Sequence, residues 1–157
     1  MCIRDRVDLL TKLDCRIRWI DSRRRIFPAS IPASVTAIET DDAAREVASV
    51  PAGAYYLIMT HSHPLDLAIC HEVLLRDDAA YRGLIGSRSK RRRFEKRLVA
   101  AGLSSQRLSH LVCPIGVDGV TGKKPAEIAL AVVAQILQVR DAEQRTASGS
   151  HSLEALG

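Results

Sequence analysis

Aromatic side chains make up only 4% of the 157 residues: one Trp, three Tyr and two Phe. So few ring platforms argue against a protein that stacks single-stranded nucleic acid, so no nucleic-acid partner is expected. Long apolar runs are missing too. The longest, Ile128 to Ala134, falls far short of the ~20 residues that a membrane span needs, so no membrane association is expected. The four cysteines, Cys2, Cys15, Cys70 and Cys113, have no paired spacing, and no secretory pattern accompanies them. Reduced thiols in a cytoplasmic protein are the expectation. Evenly spread charge is also absent. The net charge is +5, yet eight basic residues lie between Arg82 and Arg97 against Glu95 alone. The other 15 basic and 17 acidic residues leave −2, so the basicity belongs to one segment. A solvated face is the ordinary outcome for such a run, and a basic interaction module is the sharper alternative.

What the chain does have is 46% apolar content, enough for one domain with a core. The stretch that organises it is AYYLIMTHSHPLD, Ala54 to Asp66. Tyr55 to Met59 is a short apolar run that reads as a parallel strand buried on both faces. The chain then turns polar at Thr60, His61, Ser62 and His63. Pro64 suits a first helical position, and Asp66 can accept from first-turn amides. A buried strand ending in hydroxyls and imidazoles above a helix N-terminus is where open α/β sheets place ligands.

Elsewhere strands and helices alternate. MCIRDR (1–6) fits no periodic pattern and reads as a non-native leader. Val7 to Leu13 reads as the end of a helix, Cys15 to Ile20 as a strand closed by Asp21, and Val35 to Ile38 as a second strand. Asp41 to Val50 reads as a short helix and Leu65 to Arg76 as another. Tyr81 to Ile85 is a strand, and Ser87 caps a helix running to about Ala101 with a narrow stripe of Phe94, Leu98 and Ala101. Leu108 to Ile115 reads as strand and turn. The helix from Pro125 to about Val139 is apolar nearly all round, so it needs cover on two sides; a second subunit or a further domain is the expected second cover. Residues 141–157 read as a flexible tail, which leaves 7–140 as the domain. The class is α/β: a doubly wound, mostly parallel Rossmann-like sheet. Asp21 resembles the acidic residue found about 20 residues after a glycine-rich turn. No such turn precedes it, so the expected fold is N-terminally truncated, without its first strand and glycine loop.

Several residues could carry chemistry. Asp21 could hold a ribose hydroxyl, or be an acidic strand end beside Arg23. His61 and His63 lie two apart and could ligate a metal with Cys70 or His71, but helix capping and ligand hydrogen bonding are favoured and no metal is expected. Gly86, Ser87 and Lys90 could seat an anion: glycine lets a phosphate approach, amides and hydroxyl donate, and the lysine adds charge. Plain helix capping explains the same residues. Cys113 before Pro114 could be a reactive thiol or a buried structural one.

Four segments together resemble the C-terminal Rossmann-like domain of the xanthine dehydrogenase accessory protein family, XdhC/CoxI. They are WIDSR (Trp19 to Arg23), MTHSHPLD (Met59 to Asp66), YRGLIGSRSKRRRFEKRL (Tyr81 to Leu98) and CPIG with KKPAEIA (Cys113 to Ala129). Ala131 stands where a small hydroxylated residue is expected. The resemblance implies a molybdenum-cofactor (molybdopterin) chaperone rather than a catalyst. Such a protein holds the cofactor while a cysteine desulfurase adds its terminal sulfur, then passes it to apo xanthine dehydrogenase. The candidate cofactor-binding residues are Asp21, Thr60, His61, Ser62, His63, Gly86, Ser87, Lys90 and Cys113, and a homodimer is expected. The rival is an NAD(P)-dependent oxidoreductase in which His61 or His63 transfers a proton.

Overall fold

In the computed structural model, residues 3–154 are described. Met1, Cys2 and residues 155–157, which belong to the expected leader and tail, lie outside them. The chain begins with α1 (Ile3–Leu10), then β1 (Ile17–Asp21), β2 (Val35–Glu39) and α2 (Ala43–Glu46), which tightens into a 3-10 turn at Val47–Ser49. Then come β3 (Tyr55–Ile58), α3 (His63–Arg76), β4 (Tyr81–Leu84), α4 (Arg88–Ala100), α5 (Ser105–Ser109), β5 (Leu111–Val112) and α6 (Pro125–Glu154). Every strand pairing is parallel: β1 with β2, β3 with β4, and β4 with β5. Strands alternating with helices in a parallel arrangement give the expected Rossmann-like α/β class.

The sheet is divided. One ladder holds β1 and β2 and the other holds β3, β4 and β5, with no rung between β1 and β3. This explains a second departure. The apolar run of β3 is not buried on both faces; Tyr55, Tyr56 and Leu57 are half-buried and only Ile58 is fully covered. A strand with one unpaired edge keeps part of its surface open.

The three-stranded sheet is covered on both faces because its side chains alternate between them. Ile58, Leu84 and Leu111 point to one side, where they meet Cys70, Val73 and Leu74 of α3 and Phe94 and Leu98 of α4. Tyr81, with half-buried Tyr55, Leu57 and Val112, points to the other side and meets Val132 and Ile136 of α6. Gly83 lies on that second face, where an added Cβ would stand 2.4 Å from the Tyr81 ring. The smaller sheet has its own cluster of Trp19, Val35 and Val7, with the Trp19 and Phe27 rings edge to face at 5.2 Å.

Helix α6 corrects two expectations. Its second cover comes from within the chain, because α1 packs along it and Leu10 joins the Val132–Ile136 cluster. It also continues well past Val139. Residues 140–147 (RDAEQRTA) contain no Gly or Pro and are mostly good helix formers, and the Tyr55 hydroxyl donates to Glu143 across to the sheet. At the other end, α1 starts at Ile3, so Arg4 to Arg6 are helical. Arg4 donates to the Ile26 carbonyl at 2.9 Å, and Arg6 is buried. Among the described residues no helix is long and apolar enough to cross a membrane, and Cys15, Cys70 and Cys113 are free thiols.

Candidate functional site

The carboxyl ends of β3 and β4 lie side by side, and each feeds a helix whose first turn opens onto the same edge. At the first, Ser62 caps α3: its hydroxyl accepts from Leu65 N–H, while Pro64 fills the first turn without needing an acceptor. Thr60 Oγ1 accepts from Ser62 N–H at 3.1 Å and donates to the Ser62 carbonyl at 2.9 Å, which folds the loop tightly. His61 and His63 flank this loop and are both exposed. His63 is the first helical residue; Ser62, not His63, is the cap. Asp66 does not accept from the amides of its own helix. Its Oδ1 accepts from Thr60 N–H at 2.8 Å, back at the strand end.

At the second, Ser87 caps α4 as the sequence indicates, with its hydroxyl accepting from Lys90 N–H at 3.2 Å. The role expected of Lys90 changes. Its ammonium donates to Asp66 Oδ2 at 2.6 Å and to the Ile85 carbonyl at 2.8 Å, and it lies 5.3 Å from the centre of the Phe94 ring. The side chains are 7% and 1% exposed, so this ammonium is committed to an internal ion pair rather than to a phosphate. Gly86 is explained by the same pair. A Cβ there would sit 2.5 Å from Lys90 Cδ, so glycine makes way for the lysine stem rather than for an anion. The first-turn amides of Arg88 and Ser89 have no acceptor among the described residues, and exposed Arg88 adds charge beside them. That donor set suits an anionic oxygen.

Two more expected residues complete the edge. Cys113 ends β5 beside α4, with its thiol 3.9 Å from the Ser87 carbonyl, just before the cis Cys113–Pro114 peptide. It is buried, and desolvation pushes its thiol up despite the nearby charges of Lys90 and Arg91. That makes it a poor thiolate and a good packing residue. The turn beyond it is pinned to α6: Gly116 N–H donates to Gln135 Oε1 at 2.9 Å, and an added Cβ at Gly116 would meet Ala131 at 3.3 Å. On the other ladder, Asp21 ends β1 and is gripped by Arg23. Oδ1 accepts from Arg23 N–H and Nε, and Oδ2 from the second guanidinium nitrogen, all at 2.9 Å. Burial works to raise the pKa of this carboxyl, but the Arg23 bonds and charge, with help from His61, hold it below its ordinary value.

The edge thus gathers Thr60, His61, Ser62, His63, Ser87 and Cys113, with Lys90 and Gly86 beneath as support, while Asp21 ends a strand of the other ladder. Among the described residues no group of three or more His, Cys, Asp or Glu is arranged to hold a metal ion. The concave surfaces along α6 (Val139, Ala142, Thr146) and between α2 and α3 (Ala44, Glu72, Arg76) lie away from this edge. Sequence reasoning missed the Asp66–Lys90 pair, though its signal was present. Lys90, Phe94 and Leu98 recur at helical spacing, and a lysine on a buried stripe requires a buried partner.

Comparison with known proteins agrees with the geometry. A solved structure titled as a xanthine dehydrogenase from Bacillus halodurans superposes with a TM-score of 0.77 at 23% identity, over 93% of this chain and 43% of that one. At that identity the likeness concerns the fold. An uncharacterised Escherichia coli (strain K12) protein, YqeB, is 28% identical over 121 residues, 76% of this chain and 22% of the relative. The chain therefore spans less than half the length of either. The XdhC Rossmann domain family matches residues 3–136. With that match covering most of the chain, the chain belongs to the XdhC Rossmann domain family.

Proposed function

We propose that this chain forms the nucleotide-type half of an accessory protein that binds the molybdenum cofactor in the cytoplasm for maturation of xanthine dehydrogenase-type enzymes. The cofactor is cargo here, and its anionic phosphate or dinucleotide end is the part that this edge suits. In this reading the Arg88 and Ser89 amides and the Ser87 hydroxyl receive phosphate oxygens, and Asp21 receives a hydroxyl of a ribose where one is present. His61 and His63 hydrogen-bond and shield the remainder. A cysteine desulfurase would act on the held cargo, and apo xanthine dehydrogenase would receive it. Two helix N-termini at adjacent strand ends, locked together by Asp66 and Lys90, are the observation that carries the reading. A second copy of the chain against the outer side of α6, where Leu130 is 58% exposed, is part of the same proposal.

Isothermal titration of the full-length protein with molybdopterin, and separately with NAD(P), tests it. Arg88→Ala combined with Ser87→Ala should weaken molybdopterin binding by about tenfold or more, the scale of one charge-assisted contact. Tight NAD(P) binding without molybdopterin binding would replace this reading with a dehydrogenase.

A further inference from the structure

Helix α4 is built against its own charges. Its buried side is the row Lys90, Phe94 and Leu98, and the side opposite carries Arg88, Arg92, Lys96 and Val99, all exposed. Arg93 and Arg97 flank that outer row and are exposed too. Residues four apart on a helix are neighbours. Arg88–Arg92, Arg92–Lys96 and Arg93–Arg97 are therefore like-charged pairs, and each destabilises the helix. The first turn holds no acidic residue, and Arg88 sits at the positive end of the helix dipole. Glu95 offers little relief, because Arg91 Nε holds its carboxylate at 2.7 Å. Among the described residues no ion pair engages the five outer cations.

A local arrangement that opposes the fold is expected where a partner supplies the compensation. The stripe states what that partner must be. It runs the length of a 13-residue helix, about 20 Å, with a cation about every 6 Å. A protein helix that carries carboxylates at the same four-residue repeat meets Arg88, Arg92 and Lys96 in turn. Val99, 52% exposed, ends the row and adds an apolar anchor beside the charges. Nucleic acid fits less well. Outside 82–97 the 15 basic residues are outnumbered by 17 acidic ones, so the chain offers no net basic surface beyond this segment to follow a phosphate backbone. The one ring of α4, Phe94, is buried and cannot stack a base. A lipid surface fits no better, because helices that lie on a bilayer insert a broad apolar face, and α4 exposes Val99 as its one large apolar side chain.

We propose that the outer stripe of α4 is a docking surface for an acidic helical segment of a partner protein. The contact is small and charge-rich, so it forms fast, releases fast and weakens steeply with salt. Because α4 begins at the Ser87 cap, one end of the docked segment lies beside the strand-end edge. The docking itself does not rest on the molybdenum-cofactor reading.

Fluorescence anisotropy on the intact chain, without molybdopterin, tests the surface. The probe is a labelled, side-chain-stapled helical peptide with Glu at every fourth position and a Leu closing the row. Its control has the same composition with the glutamates spread around the helix, and should bind about tenfold more weakly or worse. Arg92→Glu with Lys96→Glu should weaken the row peptide by about tenfold or more, and should instead bind a peptide with Lys in place of Glu. Lys12→Glu with Arg45→Glu makes the same change of net charge at exposed positions elsewhere, and should leave binding within about twofold. Equal loss in the two charge-matched variants, or equal binding of the two peptides, would overturn the inference. So would tighter binding of a random-sequence DNA duplex or of phosphatidylglycerol vesicles at the same salt. Melting gives an independent reading. Arg92→Gln with Lys96→Gln should melt no lower than the wild type, because Gln is a comparable helix former and removes like-charged pairs. A lower melting temperature would mean that the stripe serves the fold, which also overturns the inference. Molybdopterin binding is titrated separately, so its failure counts against the functional reading and not against the docking surface.

Discussion

Asp66 and Lys90 hold the two strand-end loops in place. One carboxylate ties the Thr60 amide at the end of β3 to an ammonium that also binds the Ile85 carbonyl at the end of β4. Removing one partner strands the other charge in the core, which costs about 3–5 kcal/mol. Asp66→Ala and Lys90→Met should each lower unfolding stability by that order in urea titrations. The double variant should lose clearly less than the sum, because neither charge is then left alone. Single losses below about 1 kcal/mol would mean that the pair is not structural. Asp21 offers a pH test. Its folded pKa lies below the ordinary carboxylate value because the Arg23 bonds outweigh burial. A depressed carboxyl contributes stability above its unfolded value, about pH 4, and loses that contribution as pH falls through the folded value. Arg23 is 49% exposed, so the contribution is small, under about 1 kcal/mol. Asp21→Asn should therefore cost little at pH 7 and show a flatter acid limb in pH-dependent melting; an unchanged limb would refute the coupling.

At the scale of elements, the strands were the most legible part. The runs ending at Asp21, Ile58 and Leu84 lie within a residue or two of their expected places, because a short apolar run bounded by polar turns has few alternatives. Ser87 was legible as a cap for the same reason: a hydroxyl just before a helical pattern satisfies its open amides. What could not be read was pairing. The side-chain period places a strand but does not name its neighbour, so the division into two ladders and the half-exposure of β3 appear only in three dimensions. The inward turn of Lys90 was hidden because a basic run looks solvated until one member falls on the buried stripe. The sequence shows the apolar faces of helix α6, and so asks for an outside partner, but it does not show the packing of α1 against that helix. With α1 in place, Leu130 is, among the described residues, a large apolar side chain of α6 that stays exposed. If a homodimer forms there, Leu130→Glu should convert it to monomer by light scattering while leaving the melting temperature nearly unchanged. A wild type that is monomeric at all concentrations would remove the dimer from the proposal.

Across the whole molecule, the ligand edge and the charged surface are placed so that one could serve the other. Arg82 is buried against Asp77, Lys90 against Asp66, and Arg91 pairs with Glu95, so the basic segment presents Arg88, Arg92, Arg93, Lys96 and Arg97 outward along α4. That face begins at the crevice and runs away from it, an arrangement suited to meeting an acidic partner beside the proposed cargo. His61 and His63, exposed at the rim, separate the proposed carrier role from catalysis. In a carrier they donate or accept hydrogen bonds, and no proton needs to leave a substrate. Replacing both with Gln in the full-length protein should then reduce retention of molybdopterin and activation of the target dehydrogenase, with no turnover to lose at any pH. In a dehydrogenase the same change would remove a general acid–base, typically worth about 10²–10⁴ in rate. Nicotinamide reduction by the wild type that disappears in the double variant would decide for the enzyme. A turnover-free wild type whose double variant only releases its cargo faster is the expected outcome.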